Sequence, residues 1–480
     1  MRVNFTTGEP QRYLLPLGCR PADASAGPDG VIAVLRAATG RRVPGRVLYD
    51  ASEDSRLATA LRDIARQHGS VDGIIGSLEA TEHRGSHLAA NEGEGRRRIR
   101  RSRRGPNTLV DLGNRVVLKL FRQLDNGPNP EIEVGSYLKS VRFPHAPIIH
   151  GSLHYRLHGG RTTQRMSVGV LQGYIENDGE AWPRAVEAAT RYFQRAIRTR
   201  REPHAGGSVL PRFAALHDAP TELDDLFGTY LDAVRLIAVR TADLHRALAS
   251  NTADPAFTPE PFTPLSRRST YQRMRTLTVS VIATLRRRFE ELRPELRAGA
   301  QALVQRQDDA MRVFRQIVEH TVSAQRIRCH GNLHLGQVLH IGDDVVLIDF
   351  EGEPGRPLYE RRLKRSPLQD VATMVRSFHY AAHAALQKGI ARRSGLDRTM
   401  PWLRHWQRRT ATAFVATYAD AVEGTTLLPS DVADTELLLD AHLLERAYYE
   451  LGFELNHRSE WVRAPLMDIP ALLFSRRGRS

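Results

Sequence analysis

The stretch Cys329–Pro357 reads CHGNLHLGQVLHIGDDVVLIDFEGEPGRP, and its spacing decides how the rest of the chain is read. His330-Gly331-Asn332 is followed five positions later by Gln337, and Asp349 closes an apolar run, VVLI, that has the length of a short buried strand. Between them, QVLHIGDDVVLIDF predicts two short strands joined at Gly342-Asp343-Asp344, a turn suited to a two-residue hairpin. A polar loop, an amide and a carboxylate on the following strand is an arrangement suited to holding a hard cation against phosphate oxygens.

Phosphoryl transfer gives each position a task. The residue at 332 orients the accepting hydroxyl and takes its proton, an amide oxygen at 337 ligates Mg²⁺, and the carboxylate at 349 holds Mg²⁺ on the nucleotide phosphates. Such a site also needs a cation on an earlier strand and a carboxylate on the next helix to hold it. Lys119 in VVLKLF and Glu133 in EIEVG fall in those places.

Outward from this stretch, NTLVDLGNRVVLKLFRQL (107–124) predicts a hairpin turned at Leu112-Gly113-Asn114, NPEIEVGSYLKS a helix, and MSVGVLQGYI a further strand. From about residue 184 the pattern turns helical. The segments 185–199, 229–248, 271–292 and 302–322 carry apolar residues at spacings near 3.6. Residues 1 to about 80 hold short apolar stretches and LATALRDIARQ, which predict a small separate α+β unit. The polar stretch 81–106 is the expected boundary, and its run Arg96–Arg104, RRRIRRSRR, reads as an exposed basic linker. The expected division is therefore 1–95 as an N-terminal cap, 96–183 as a nucleotide-binding lobe and 184–480 as a helical lobe with the catalytic loop and sugar site.

Composition sets broad limits. A chain of 480 residues, 41% hydrophobic and 26% charged, can bury a sizeable core. No apolar run approaches the ~20 residues of a membrane span and none suits a signal peptide, so a cytoplasmic location is expected and no membrane partner. Cys19 and Cys329 are the only cysteines, which supports neither a disulfide framework nor a cysteine zinc site. The net charge of +15 suits anionic ligands, but there is no recognisable nucleic-acid module, so nucleic acid is not expected as the partner.

The segments 330–339 and 347–382, HGNLHLGQVL and LIDFEGEPGRPLYERRLKRSPLQDVATMVRSFHYAA, resemble the maltokinases, including those fused to trehalose synthase. The resemblance extends to 107–138, to VLQGYIENDGEAW (170–182) and to ERAYYELGFELNHRSEWVRAPL (445–466). QRYLLPL and GRVLYD resemble the cap these kinases carry. It implies a bilobal, α+β protein-kinase-like fold and transfer of the ATP γ-phosphate to the anomeric hydroxyl of maltose, with Mg²⁺, and trehalose synthase as a fused or separate partner. By carry-over, His330 and Asn332 are catalytic, Lys119 and Glu133 serve the nucleotide, and Gln337 and Asp349 bind metal.

Sugar recognition calls for polar groups backed by aromatic faces. The candidates are His334, Glu351 and Arg361 near the loop and Tyr449, Glu450, Asn456 and Arg458 near the end. A second reading makes Glu450, Arg458 and Arg361 members of ion pairs between helices and Tyr449 a core residue. His379, in an apolar-periodic helix, reads as a core residue.

Two departures from the family pattern stand out. Asn332 replaces the expected Asp, and an amide cannot accept a proton at neutral pH. Either activity is reduced, another carboxylate such as Glu351 or Glu353 substitutes, or the chain is a pseudokinase that binds nucleotide or glucan. RSRRGPNT also lacks a glycine-rich phosphate loop, with Arg103, Arg104 and the backbone at Gly105 as candidate phosphate contacts beside a plain linker reading. A kinase acting on another hydroxylated acceptor, such as an aminoglycoside, keeps the same mechanism.

Overall fold

The computed structural model describes residues 1–6, 9–21, 31–35, 45–67, 69–82, 99–100, 107–112, 116–158, 164–199, 201, 203, 221–250, 253–390 and 396–477. The chain divides into two compact units, Met1–Glu176 with Pro354–Arg361, and Asn177–Glu353 with Arg362–Ser480.

The first unit is built on strands. In chain order they are β1 Arg2–Val3, β2 Gln11–Tyr13, β3 Leu17–Pro21, β4 Val31–Leu35, β5 Arg46–Asp50, β6 Ser70–Asp72, β7 Gly76–Glu82, β8 Ile99–Arg100, β9 Thr108–Asp111, β10 Val116–Leu120, β11 Gln123–Leu124, β12 Ile149–Leu157 and β13 Arg165–Gly173. Its two longer helices among the described residues are α1 Ser55–Arg66 and α2 Pro130–Ser140. The main sheet has the order β6-β7-β12-β13-β10-β9-β8, and every pairing in it is antiparallel. Period-two alternation in β10 sends Val116, Leu118 and Leu120 to one face, where they join Leu153 and Val168 in the core, and Lys119 to the other.

The expected hairpin is present, with Val117 opposite Asp111 and Leu120 opposite Thr108. Its turn residues 113–115 lie outside the described residues. The expectation of a separate cap over 1–95 is corrected, because β6 and β7 extend the same sheet and Gly151 of β12 pairs with Glu82. Arg122 adds a polar tie, reaching Asp50 and Ser52 at 2.8 Å and Thr108 at 3.0 Å. Within the basic run, Ile99 and Arg100 pair with Val110 and Leu109, so these two belong to the sheet edge rather than to a linker. Residues 96–98 and 101–104 of that run, and Gly105, are outside the described residues.

The second unit holds α3 Ala181–Ala196, α4 Tyr230–Leu248, α5 Pro264–Arg287, α6 Pro294–Gln305, α7 Gln307–Glu319, α9 Leu368–Ala385, α10 Leu396–Ala421, α11 Val432–His457 and α12 Arg463–Arg477; α8, Leu358–Arg361, belongs to the first unit. One continuous helix was expected over 302–322, but the chain breaks at Arg306 between α6 and α7. The short strands β14 Glu260–Pro261 and β15 Gln325–Arg326 pair antiparallel, and the hairpin β16 Val338–Ile341 and β17 Asp344–Leu347 forms as expected, with Gly342 at φ 56°, a left-handed value that favours glycine. Arg240 of α4 grips Asp344 through two nitrogens, at 2.8 and 2.9 Å. Helix α9 packs against α3, α10 and α11 and is buried on all sides, with the polar Asp370, Arg376, His379 and His383 buried along with its apolar residues.

Candidate functional site

The loop His330–Gln337 is fixed through its backbone. Asp370, in the first turn of α9, is fully buried and accepts the N–H of His330 at 2.8 Å on one carboxylate oxygen and that of Gly331 at 2.9 Å on the other. His245 of α4 adds a contact at 3.2 Å and is itself held by the Tyr418 hydroxyl at 2.9 Å. Burial alone raises the Asp370 carboxyl, but the His245 hydrogen bond and the charge of His245 and His330 reverse this and hold it below the ordinary range. Gly331 has φ 82°, and a Cβ there would stand 3.2 Å from the Gly352 Cα, so the turn into Asn332 requires glycine.

His330 is a brace. Its Nε2 lies 2.9 Å from the Ile348 carbonyl and its ring 4.9 Å from that of Phe350, so it ties the loop to the residues after β17. Burial lowers its proton affinity. His330, expected to take part in catalysis, has its ring turned to the Ile348 carbonyl and Phe350.

Gln337 donates its amide N–H to Asp349 Oδ2 at 2.8 Å. Asp349 sits at φ 70°, a left-handed conformation uncommon outside glycine but tolerated by aspartate. Such strain costs of order 1–3 kcal/mol and is concentrated at functional positions. A hard divalent cation takes oxygen ligands, and half a turn of the Gln337 amide presents Oε1 beside the carboxylate.

In the first unit, Lys119 Nζ is 3.5 Å from Glu131 Oε2, with both side chains almost wholly buried. Glu133, the expected holder of the lysine, is half-buried two residues further along the same helix. Glu131 lies in the first helical turn because the Asn129 side chain caps α2, accepting the Glu131 N–H at 2.8 Å, with Pro130 following.

On the other side of Asn332 is a polar cluster, all of it in the second unit. Arg446 donates from Nη1 to Asn332 Oδ1 at 3.4 Å and to Glu353 Oε2 at 2.8 Å. Tyr449 donates to Glu353 Oε1 at 2.5 Å, and the Arg446 guanidinium lies 4.8 Å from the Tyr449 ring centre. Arg446 Nε also approaches Glu450 at 3.4 Å. Behind it, fully buried Arg376 binds Glu450 through Nε and Nη2 at 2.9 and 2.7 Å and Asp468 at 2.7 Å, while Gln407 holds Asp468 at 3.1 Å.

Of the sugar candidates, Tyr449 and Glu450 fall within this network. Tyr449 is half-buried with its hydroxyl on Glu353 rather than enclosed in the core. Glu351 is buried two residues after Asp349. The other four candidates make contacts within their own surroundings. His334 turns back on its own loop, its Nδ1 accepting the Gly336 N–H at 3.1 Å, and burial pushes its pKa down to about 3. Arg361 is engaged with Asp125 at 2.9 Å inside the first unit. Arg458 is exposed and paired with Glu454 at 2.6 Å, and exposed Asn456 donates to the Gly452 carbonyl at 2.9 Å. An ion pair between helices is present for Glu450, with Arg376, whereas Arg361 pairs with the non-helical Asp125 and Arg458 pairs with Glu454 of its own helix. His379 is buried beside Arg376 with its pKa pushed down to about 3 by burial and that charge, as a core histidine should be.

No protein-family model matches the chain. It is 26% identical over 368 residues to the glucosamine kinase of Mycolicibacterium smegmatis (strain ATCC 700084 / mc(2)155), spanning 76% of this chain and 77% of that protein. A glucosamine kinase of Streptacidiphilus jiangxiensis is 26% identical over 152 residues, 31% of this chain and 32% of that one. A solved structure of glucosamine kinase in complex with glucosamine, ADP and inorganic phosphate superposes with a TM-score of 0.61 at 18% identity, covering 84% of this chain and 83% of that one. The fold is protein-kinase-like.

Sequence reading passed over Asp370, Glu131, Arg376 and Arg446. Asp370 opens an apolar helix, where an acidic residue reads as a helix-dipole partner. The available signal for Arg446 was its spacing of four from Glu450 on one helix face. Among the described residues no helix is long and apolar enough to cross a membrane.

Proposed function

We propose that the chain is an ATP-dependent sugar phosphotransferase. The observation that carries this reading is the loop His330–Gln337, whose backbone is clamped by Asp370 while its far end, Gln337, touches Asp349. In this reading Asn332 orients the acceptor hydroxyl, Gln337 and Asp349 hold Mg²⁺, and Lys119, held by Glu131, serves the phosphates. Bound Mg²⁺ neutralises charge on the transferring phosphoryl group. The matched glucosamine kinases support sugar as the acceptor class and ATP as the donor. Tyr449, Glu353 and Arg446 supply the hydrogen-bonding groups and aromatic surface that suit a pyranose.

Glucosamine is the first acceptor to test. Maltose is the second, favoured by the resemblance of 330–339 and 347–382 to maltokinases. The test is transfer of labelled γ-phosphate from ATP·Mg²⁺ to a panel holding glucosamine, glucose, maltose and an aminoglycoside. Labelling of glucosamine above maltose supports the amino-sugar acceptor, and the reverse order supports the anomeric phosphorylation of a disaccharide. Nucleotide binding with no labelled product from any acceptor makes the chain a pseudokinase.

A further inference from the structure

Position 332 carries no base, yet a carboxylate stands beside it. Arg446 Nη1 is the shared donor of Asn332 Oδ1, at 3.4 Å, and Glu353 Oε2, at 2.8 Å, so one nitrogen bridges the two acceptor atoms, which by those distances lie within about 6.2 Å of each other. Glu353 is thereby a carboxylate tied to Asn332 through a single donor. The carboxylate is in turn aimed by Tyr449 at 2.5 Å, and its residue is 7% exposed. Each oxygen accepts one hydrogen bond in this arrangement, and an ionised carboxylate offers about four lone-pair sites, so accepting capacity is left. Glu351 had equal standing in the sequence; the structure links Glu353 to Asn332 through Arg446.

We infer that Glu353 is the proton acceptor of this enzyme, an inference that rests on the phosphotransferase reading. The acceptor oxygen bonds to the γ-phosphorus as the bond from that phosphorus to the bridging oxygen of ADP breaks. The hydroxyl proton passes to Glu353, and ADP leaves with the electron pair. Asn332 orients the hydroxyl without titrating. Arg446 holds the amide and the carboxylate in register, and Tyr449 fixes the second carboxylate oxygen.

The experiment is a four-way comparison of the full chain, as natural protein, Glu353→Gln, Asn332→Asp and the double variant, for transfer from ATP·Mg²⁺ to the best acceptor. ATP binding by each variant is measured alongside as the check on folding. Expected are turnover by the natural chain, a loss of about 10²–10⁴-fold in Glu353→Gln, and recovery in the double variant, where the carboxylate has moved to 332. Turnover in Glu353→Gln within tenfold of the natural chain overturns the inference. So does a silent natural chain awakened by Asn332→Asp, a result that leaves the phosphotransferase reading standing. Silence in all four with ATP still bound defeats the phosphotransferase reading itself.

Discussion

Asp370 holds Gly331 by its backbone N–H at 2.9 Å, from the first turn of a helix whose sides are all buried. A side chain so placed fixes the path of the loop rather than its chemistry. Replacing it by alanine leaves two backbone donors, of His330 and Gly331, without this acceptor, each a desolvation cost of about 1–3 kcal/mol. Asp370→Ala is expected to lower the denaturation midpoint clearly and to abolish transfer, whereas a change at exposed Asn456 leaves both unchanged. Denaturant unfolding and the phosphate-transfer assay read the two effects.

The pairing of Lys119 with Glu131 makes a second prediction. Removing one partner of a buried ion pair costs about 3–5 kcal/mol because the remaining charge stays desolvated. Glu131→Gln is therefore expected to destabilise more than Glu133→Gln, and to weaken ATP binding more. Thermal melts with and without ATP·Mg²⁺ separate the two, and equal effects would count against Glu131 as the holder of the lysine.

Arg376 presents a sharper case, since its three nitrogens are committed to Glu450 and Asp468 with none of its side chain in water. Burial opposes its charge, and the two carboxylates reverse that and raise its proton affinity. Arg376→Met leaves Glu450 its longer contact to Arg446 and Asp468 its contacts to Gln407 and His383, and is expected to cost about 3–5 kcal/mol in unfolding free energy. Arg376→Met with Asp468→Asn and Glu450→Gln should recover part of the loss, since no buried charge is then left over. Urea titrations of the single and triple variants test this.

Glu454 gives a pH dependence. Burial raises its pKa from 4.5 to about 7, against the lowering effect of Arg458. A carboxyl raised in the folded state contributes stability at low pH that is lost as pH rises, here across the window from about 4.5 to about 7. Glu454→Gln removes the titration, so the variant's midpoint should fall less than the natural chain's between those two pH values. Melting curves across the window decide it, and parallel curves would refute the assignment.

Much of the second unit was legible because its signals are local. The hairpin at Gly342 is written in two short apolar runs and a glycine, and α3, α4 and α5 in their 3.6-residue spacing. Gln337 and Asp349 were legible as a pair because a short hairpin brings them together. What depended on distant pairing was not. That β7 joins β12 rather than forming a cap is a long-range register that its own residues do not encode. Glu131 and Glu133 sit in one helical turn, and the choice between them depends on how α2 is seated against the sheet. Arg376 lies in an apolar run, where its carboxylate partners come from helices 74 and 92 residues away.

Transfer of phosphate to a sugar by this chain is tested by sugar-dependent release of ADP from ATP·Mg²⁺ by the natural protein. Expected is ADP formation that rises with added sugar, stops when Mg²⁺ is chelated, and is matched mole for mole by sugar phosphate. No sugar-dependent ADP from either the natural chain or Asn332→Asp, with both folded and binding ATP, would contradict it.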